Sequence, residues 1–174
     1  MFKLNLLLTI IRKRIKIFFV RFFLEVIKID LLGYNLCVTA KKFSQLLTEK
    51  FKEYEITPEQ WVIVRILFES DIQLSQKELA IKSQKDQNTV TAIIDKLEKK
   101  GYVERVKSNE DKRIFNIILK EKIKKNIKTL YEIDENLTKE ICKNLTQVEI
   151  DNLEKSLKSL SNEIEIKLKT LREI

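Results

Sequence analysis

Four polar residues stand at the start of one amphipathic segment: Gln87, Asn88, Thr89 and Thr91. Asn and Gln carboxamides form paired hydrogen bonds with adenine, and a Thr methyl group packs against the methyl group of thymine. A helix that enters the DNA major groove reaches base edges with its N-terminal residues. These side chains therefore favour contact with A·T-rich DNA. The plain alternative is a polar helix start that only meets water.

The spacing of apolar residues predicts the helix that would carry these side chains, over residues 86–100. Gly101 follows it, and glycine is the residue type favoured just after a helix ends. One face of the helix is apolar because hydrophobic residues recur at intervals of three or four: Val90, Ile93, Ile94 and Leu97.

A shorter helix is predicted just before it, opening at Ser75. Glu78 lies three residues further on, which is the spacing of a capping box. Ser75, Gln76 and Lys77 occupy its N-terminus, where free backbone N–H groups and polar side chains can hold a phosphate. A polar run, 82–87, separates the two helices and indicates a turn.

Two short strands are predicted after the second helix, over 102–106 and 114–119, since both stretches are rich in β-branched and aromatic residues. The segment between them, 107–113, is too polar to be buried. Two helices, a turn and a two-stranded ribbon together predict a winged helix-turn-helix. The fold class is therefore mainly α with a small β-hairpin wing.

These motifs make the chain resemble the MarR family of bacterial transcription regulators. The resemblance covers Asp30 to Glu149 approximately, and it is specific because several motifs occur in the right order and spacing. The motifs are Thr57-Pro58-Glu59-Gln60-Trp61, LSQKELA at 74–80, TVTAIIDKLEKKGYVER at 89–105 and Asp111-Lys112-Arg113. One departure follows the wing, where the family's Leu-Thr with a downstream Gly is replaced by Leu119-Lys-Glu-Lys.

The resemblance assigns roles to Asp111 and Arg113 at the tip of the wing. In the family the arginine enters the minor groove, and the aspartate orients its guanidinium. The role is physically reasonable because narrow A·T-rich minor grooves concentrate negative potential. The alternative is an exposed salt bridge of little energetic value.

The composition excludes most chemistry other than binding. The chain has no His and only two Cys, Cys37 and Cys142, which argues against zinc sites of the usual kind and against Ser-His or Cys-His nucleophiles. No Gly-rich phosphate-binding loop is present. We therefore expect a protein that is not an enzyme and has neither metal nor cofactor. The sparse cysteines are compatible with the reducing cytoplasm, where we expect the protein to reside.

The net charge of +8 is concentrated in residues 1–29, which hold seven basic residues and one acidic residue. The other 145 residues hold 27 basic and 25 acidic groups and are nearly neutral, so bulk charge is not the reason to propose DNA. Charges interrupt every window of 1–29 that could span a membrane. Three interpretations stay open: an extra helix packed on a dimer, a translated upstream segment, or a basic amphipathic helix on a membrane surface.

The stretch 30–56 has apolar residues at helical spacing, and the resemblance makes it a first dimerisation helix. Cys37 lies on it and is a candidate redox sensor, because some relatives sense peroxide through a first-helix cysteine. The simpler interpretation is a small buried apolar residue. Trp61, in the next helix, is either a core residue or a wall of an effector pocket.

The last third, 120–174, is predicted to form two long helices, with a break near Asn144 and a capping box at Thr146 and Glu149. The second helix carries an apolar stripe at nearly heptad spacing: Ile150, Leu153, Leu157, Leu160, Ile164, Leu168 and Leu171. Little else in the chain could cover the last two turns of this helix, so a second copy is the simplest partner. The expected organisation is thus an extension (1–29), a dimerisation helix (30–56), a winged helix-turn-helix (57–119) and C-terminal dimerisation helices (120–174).

The leading hypothesis is a homodimeric, sequence-specific DNA-binding regulator, a repressor, that binds an A·T-rich inverted repeat. A small lipophilic or phenolic effector, or oxidation of a thiol, would release it from DNA. The alternative is a winged-helix scaffold for protein interaction, membrane-associated through 1–29 in one variant, since fold alone does not fix function.

Overall fold

A computed structural model describes the backbone of residues 2–109 and 111–172, with side chains described for 13–19, 31–109 and 111–171. Helices dominate, and three short strands form a small sheet. The helices are α1 (Phe2–Lys50), a 3₁₀ turn (Lys52–Tyr54), α2 (Pro58–Glu69), α3 (Gln76–Ser83), α4 (Gln87–Lys99), α5 (Glu121–Ile141) and α6 (Gln147–Arg172). The strands are β1 (Leu74–Ser75), β2 (Val103–Lys107) and β3 (Phe115–Leu119). The predicted winged helix-turn-helix is confirmed.

The chain divides into two compact units, Met1–Glu49 and Lys50–Ile174. The first unit consists of α1, which continues without a break through residue 30. The helix is therefore continuous across the expected boundary between the extension (1–29) and the dimerisation helix (30–56), and that boundary stays a prediction. Among the described residues, no helix is both long enough and apolar enough to cross a bilayer.

The second unit is built on α2, whose start is fixed by local hydrogen bonds. The Thr57 hydroxyl accepts from the Gln60 backbone N–H, the Gln60 side chain accepts from the Thr57 N–H, and Pro58 takes the first helical position. Trp61 is buried and meets Phe51 edge to face, with the ring centroids 5.9 Å apart. The structure therefore places Trp61 in the core of a single chain.

The helix-turn-helix is formed by α3 and α4, which bury one face each. Gln84 ends α3 in the left-handed conformation, at φ 53°, and its N–H bonds back to the last turn. This is the turn that the polar run at 82–87 indicated. Leu79 and Ala80 are the buried residues of α3. On α4 the buried residues are the four that the helical spacing selected: Val90, Ile93, Ile94 and Leu97.

The sheet has three antiparallel strands in the order β1–β3–β2, one more than the two-stranded ribbon predicted. Leu74 pairs with Ile117 and Ser75 with Asn116, and both Leu74 and Ile117 are buried. A strand of two residues is too short to show a periodic pattern, which is why the sequence did not indicate it. Gly101 links α4 to β2 at φ 71°, a conformation that glycine adopts at little cost.

Helix α5 buries an apolar face within the second unit. A cluster of polar side chains also joins α5 to α2. Asp134 of α5 accepts from the Trp61 Nε1 at 2.9 Å and from the Arg65 guanidinium at 3.1 Å. The Arg65 guanidinium also lies 4.5 Å from the centre of the Tyr131 ring. The buried residues of α5 are Ile123, Ile127, Leu130 and Leu137.

Helix α6 begins at the predicted capping box, where Thr146 and Glu149 exchange hydrogen bonds. Its apolar stripe is not covered by the described part of the chain. Six of its residues are among the exposed large hydrophobic side chains: Leu153, Leu157, Leu160, Ile164, Leu168 and Leu171.

The junction between the wing and α5 lacks a side-chain cap. Lys120 occupies the position before the helix in extended conformation, and its side chain makes no capping bond. Its ammonium instead lies 3.4 Å from the Glu104 carboxylate, on an exposed surface. This is where the sequence departs from the family pattern, which has a Thr able to accept a hydrogen bond from the first turn.

We expect Lys120→Thr to stabilise the second unit relative to Lys120→Ala by about 1 kcal/mol, because only Thr supplies a cap to α5. Both variants lose the exposed contact with Glu104, so the comparison isolates the cap. The measurement is urea-induced unfolding at a fixed protein concentration. Equal stability of the two variants would show that the N-terminus of α5 gains nothing from a cap.

Candidate nucleic-acid interface

The N-terminus of α4 is fixed by Asp86 and leaves its first residues exposed. The Asp86 carboxylate accepts from the Thr89 N–H at 2.9 Å and from the Thr89 hydroxyl at 2.6 Å. These bonds, the hydroxyl's first, hold the pKa of Asp86 below its ordinary value. The Thr89 hydroxyl therefore serves the cap, while Gln87 and Asn88 are exposed at the start of the helix.

Thr91 and Gln76 bond to each other, which joins the two helices. The Gln76 Nε2 donates to the Thr91 Oγ1 at 2.6 Å, and the Thr91 hydroxyl donates to the Gln87 carbonyl at 2.7 Å. The sequence suggested a phosphate contact for Gln76, but the structure commits its carboxamide to contacts inside the chain. Gln76 thus helps to position α4.

Ser75 caps α3 in a full capping box with Glu78. The Ser75 hydroxyl accepts from the Glu78 N–H, and the Glu78 carboxylate accepts from the Ser75 N–H at 2.7 Å. These bonds from Ser75, the backbone bond first, lower the pKa of Glu78, so a carboxylate stands at this helix start. Lys77 beside it is exposed and supplies a cation that can reach a phosphate.

The wing tip presents one ordered cation. Asp111 accepts from the Arg113 backbone N–H at 2.9 Å and from its guanidinium at 3.1 and 3.0 Å, so that both carboxylate oxygens are used. The Arg113 side chain is nevertheless 90% exposed. Its guanidinium lowers the pKa of Asp111, which keeps the carboxylate charged. The pair is a pre-oriented arginine with donors still open to solvent.

Arg105 of β2 is a residue that the sequence analysis did not single out. Its guanidinium pairs with Asp95 and Glu98 of α4. The signal was present in the strand: Arg105 lies two residues after buried Val103, so both side chains point to the same face of the sheet. That face packs against α4, and a cation there required partners.

A cleft of about 840 Å³ lies between the start of α4 and the C-terminal half of α6. Lys77, Gln87 and Thr89 line one side, and Ile164 and Leu168 of the apolar stripe line the other. Of the residues of α3 and α4 that were predicted to contact DNA, Lys77, Gln87 and Thr89 line the cleft, and Ser75, Gln76, Asn88 and Thr91 do not. Asp111 and Arg113, on the wing, are not among the residues that line it.

Comparison with known proteins identifies relatives of this arrangement. The model of the MarR family matches residues 56–115. The HTH-type transcriptional regulator SarZ of Staphylococcus epidermidis is 32% identical over 122 residues, which span 70% of this chain and 80% of that protein. SarZ of Staphylococcus haemolyticus is 34% identical over 137 residues, or 76% of this chain and 90% of that protein.

Solved structures share the fold at lower identity. The Staphylococcus aureus MepR–DNA complex superposes with a TM-score of 0.68 at 20% identity, over 76% of this chain and 95% of that one. The organohalide-sensing regulator RdhR, solved with bound 2,4-dichlorophenol, gives a TM-score of 0.71 at 24% identity, over 76% of this chain and 79% of that one. At these identities the two structures establish the fold alone.

The cap at Asp86 predicts a pH dependence. Because its pKa is lowered in the folded chain, the contribution of the cap is complete above the unfolded pKa and is lost as pH falls through the folded pKa. We expect Thr89→Val, which removes the hydroxyl donor, to raise the pKa of Asp86. The start of α4 would then loosen at a higher pH during acidification.

The measurement is an NMR titration of the Asp86 carboxyl group. Thr91→Val is the matched control, because the Thr91 hydroxyl donates to the Gln87 carbonyl and not to Asp86. An Asp86 pKa that is the same in Thr89→Val and in the unmodified chain would mean that the hydroxyl bond does not form in solution.

Proposed function

We propose that this chain, which belongs to the MarR family of DNA-binding transcriptional regulators, acts as a homodimeric repressor on an A·T-rich inverted repeat. The family consists of non-enzymatic proteins, so the protein is not an enzyme and regulates by occupying DNA. The observation that carries the proposal is the pairing of two features: an exposed polar start of α4, and a wing tip whose arginine is oriented yet open to solvent.

The start of α4 is suited to the major groove. Gln87 and Asn88 are exposed, and each can form a bidentate contact with adenine. Thr89 and Thr91 use their hydroxyl groups inside the chain, which leaves their methyl groups to meet thymine. This division of roles favours A·T-rich half-sites. We assign Ser75 and Lys77, at the start of α3, to contacts with the DNA backbone.

The wing is suited to the adjacent minor groove. Asp111 holds the Arg113 guanidinium on one side, so less side-chain entropy is lost when the arginine enters the groove. A narrow A·T-rich groove attracts this charge most strongly. The wing therefore reinforces the base preference of α4.

The apolar stripe of α6 supports a homodimer. Several large hydrophobic side chains on one helix stay in water in the single chain, and a second copy is the partner with a matching stripe. Two recognition helices would then enter successive major grooves, roughly 34–36 Å apart. In the proposed dimer, the C-terminal half of α6 packs against the partner chain instead of lying beside α4. The cleft beside α4 would then be open to DNA.

A groove between α2 and α5 is the proposed effector site. It has a volume of about 460 Å³ and is lined by Phe68, Lys128, Tyr131, Glu132 and Glu135. Two aromatic walls suit a small lipophilic or phenolic compound, and RdhR was solved with such a compound, 2,4-dichlorophenol.

The groove lies beside the Arg65–Tyr131 contact that links α2 of the DNA-binding lobe to α5. A ligand there can bias the angle between the lobe and the dimerisation helices. It would favour a dimer whose recognition helices are wrongly spaced for DNA, and so shift the population away from the DNA-bound form.

Oxidation of Cys37 is the second proposed trigger. The thiol is exposed in the single chain, which is a condition for reaction with an oxidant. A polar or enlarged group at this position would disturb the dimerisation helix that we assign to 30–56. Both triggers would therefore act on the same spacing of recognition helices.

We expect DNA selection by the purified protein to recover A·T-rich inverted repeats whose half-sites lie about one helical turn apart. Arg113→Ala should weaken binding to the selected site by roughly 5- to 150-fold, which is ~1–3 kcal/mol, and flatten its salt dependence by about one unit of slope. Lys112→Ala is the matched control, because it removes a neighbouring exposed cation that forms no salt bridge with an aspartate among the described residues. It should flatten the salt dependence with little loss of A·T preference.

Two outcomes would count against the proposal. If Arg113→Ala and Lys112→Ala lower affinity and A·T preference equally, the wing arginine has no minor-groove role. If no sequence-dependent binding is found in 100 mM salt (roughly physiological ionic strength), the protein-interaction scaffold becomes the better explanation.

We expect chlorinated phenols and hydrogen peroxide, applied separately, to reduce affinity for the selected site by roughly 5- to 150-fold, the usual range of allosteric coupling. Fluorescence anisotropy of labelled DNA measures the release. Cys37→Ser should abolish the peroxide effect and leave the phenol effect intact, because the groove between α2 and α5 does not contain Cys37. If peroxide still releases the Cys37→Ser variant from DNA, Cys37 is not the sensor.

A further inference from the structure

Arg105 is the centre of a polar network that joins the wing to both helices of the helix-turn-helix. Its guanidinium donates to Asp95 Oδ1 at 2.5 Å and to Glu98 Oε2, both on α4. Its Nε lies 3.4 Å from Gln76 Oε1, on α3. The Arg105 backbone N–H also donates to Glu98, at 3.3 Å. One strand residue therefore contacts both helices.

The network continues to the start of α4. Gln76, held by Arg105, donates to Thr91 at 2.6 Å, and Thr91 donates to the Gln87 carbonyl at 2.7 Å. The chain of bonds thus runs from the middle of the wing strand to the first residue of α4. That residue, Gln87, is one of the residues proposed to read a base.

The network also has an electrostatic consequence. Asp95 and Glu98 lie in the second half of the recognition helix and are 49% and 39% exposed. Unpaired carboxylates on a helix in the major groove would repel DNA phosphates. Arg105 is only 21% exposed and pairs with both, so its single positive charge offsets part of their combined negative charge from a position where it is not available to bind DNA.

We propose that Arg105 is a positioning residue that fixes the wing and the recognition helix in one geometry, so that minor-groove and major-groove contacts form together. The inference rests on the proposed DNA-binding role of α4 and the wing. It goes beyond that role because Arg105 would act through contacts within the chain, by determining whether Arg113 and Gln87 engage the same site.

The guanidinium is required for this function. Its planar fork meets Asp95, Glu98 and Gln76 simultaneously, whereas a lysine ammonium is a point charge on a flexible stem. Arg105→Lys therefore keeps the charge balance but loses the fixed geometry. Arg105→Met keeps the apolar stem and loses both.

The test is a double-mutant cycle on binding to the selected DNA site, with Arg105→Lys and Arg113→Ala. If the two residues act through one geometry, Arg113→Ala should cost far less in the Arg105→Lys background than in the unmodified chain, by roughly 10-fold. Lys107→Met is the matched control, because it removes a cation from the same strand. Among the described residues, Lys107 forms no salt bridge with α4. Its effect should add to that of Arg113→Ala.

Equal costs of Arg113→Ala in both backgrounds would overturn the proposal. So would full restoration of affinity in Arg105→Met by Asp95→Asn and Glu98→Gln together, because charge neutralisation alone would then account for Arg105. Persistent loss of affinity in that triple variant supports positioning.

Hydrogen exchange of the free protein separates failure of this inference from failure of the proposed function. Arg105→Lys should speed exchange in β2 and at the start of α4 while the buried amides of α2 and α5 stay protected. Unchanged exchange would overturn the proposal even where DNA binds as expected. Absence of DNA binding by the unmodified chain would defeat the proposed function, whatever the exchange shows.

Discussion

The burial of one face of α4 is the interaction on which the other features depend. Val90, Ile94 and Leu97 are withdrawn from water, and each such side chain contributes on the order of 1.5–3 kcal/mol. Their burial sets the rotation of the helix about its axis. The polar residues of its first turns are consequently directed outward. A substitution that rotated the helix would misdirect these side chains even if none of them were changed.

The hydrogen-bond network of Arg105, Gln76 and Thr91 restricts the tilt and position of α4, which burial alone does not determine. A helix packed by apolar contacts can still tilt or slide slightly, since such contacts are not directional. The bonds among Arg105, Gln76 and Thr91 are directional, and they connect strand to helix. The apolar face and the polar network thus have different tasks: the first keeps α4 folded onto the domain, and the second defines where its N-terminus lies.

Features that depend on residues close together in the sequence were predicted well, whereas contacts between residues far apart in the sequence were not. The capping residues Thr57 and Ser75 were found because their bonds span three residues and leave a fixed spacing. The apolar face of α4 was found because helical periodicity also involves residues close together in the sequence. Strand β1 was not predicted because two residues are too few to show a periodic pattern. The partners of Arg105 were not predicted because strand register and packing bring these residues together. The same reason explains Gln76, whose neighbour Thr91 lies 15 residues away.

The uncovered stripe of α6 has a consequence for how the protein would respond to its own abundance. If the functional unit is a pair of chains, folding stability and assembly are linked by mass action, and dilution weakens both. At low copy number, occupancy of an operator would then rise with the square of the amount of chain present. Such a steep response would let a modest change in synthesis or turnover set the threshold at which target genes switch.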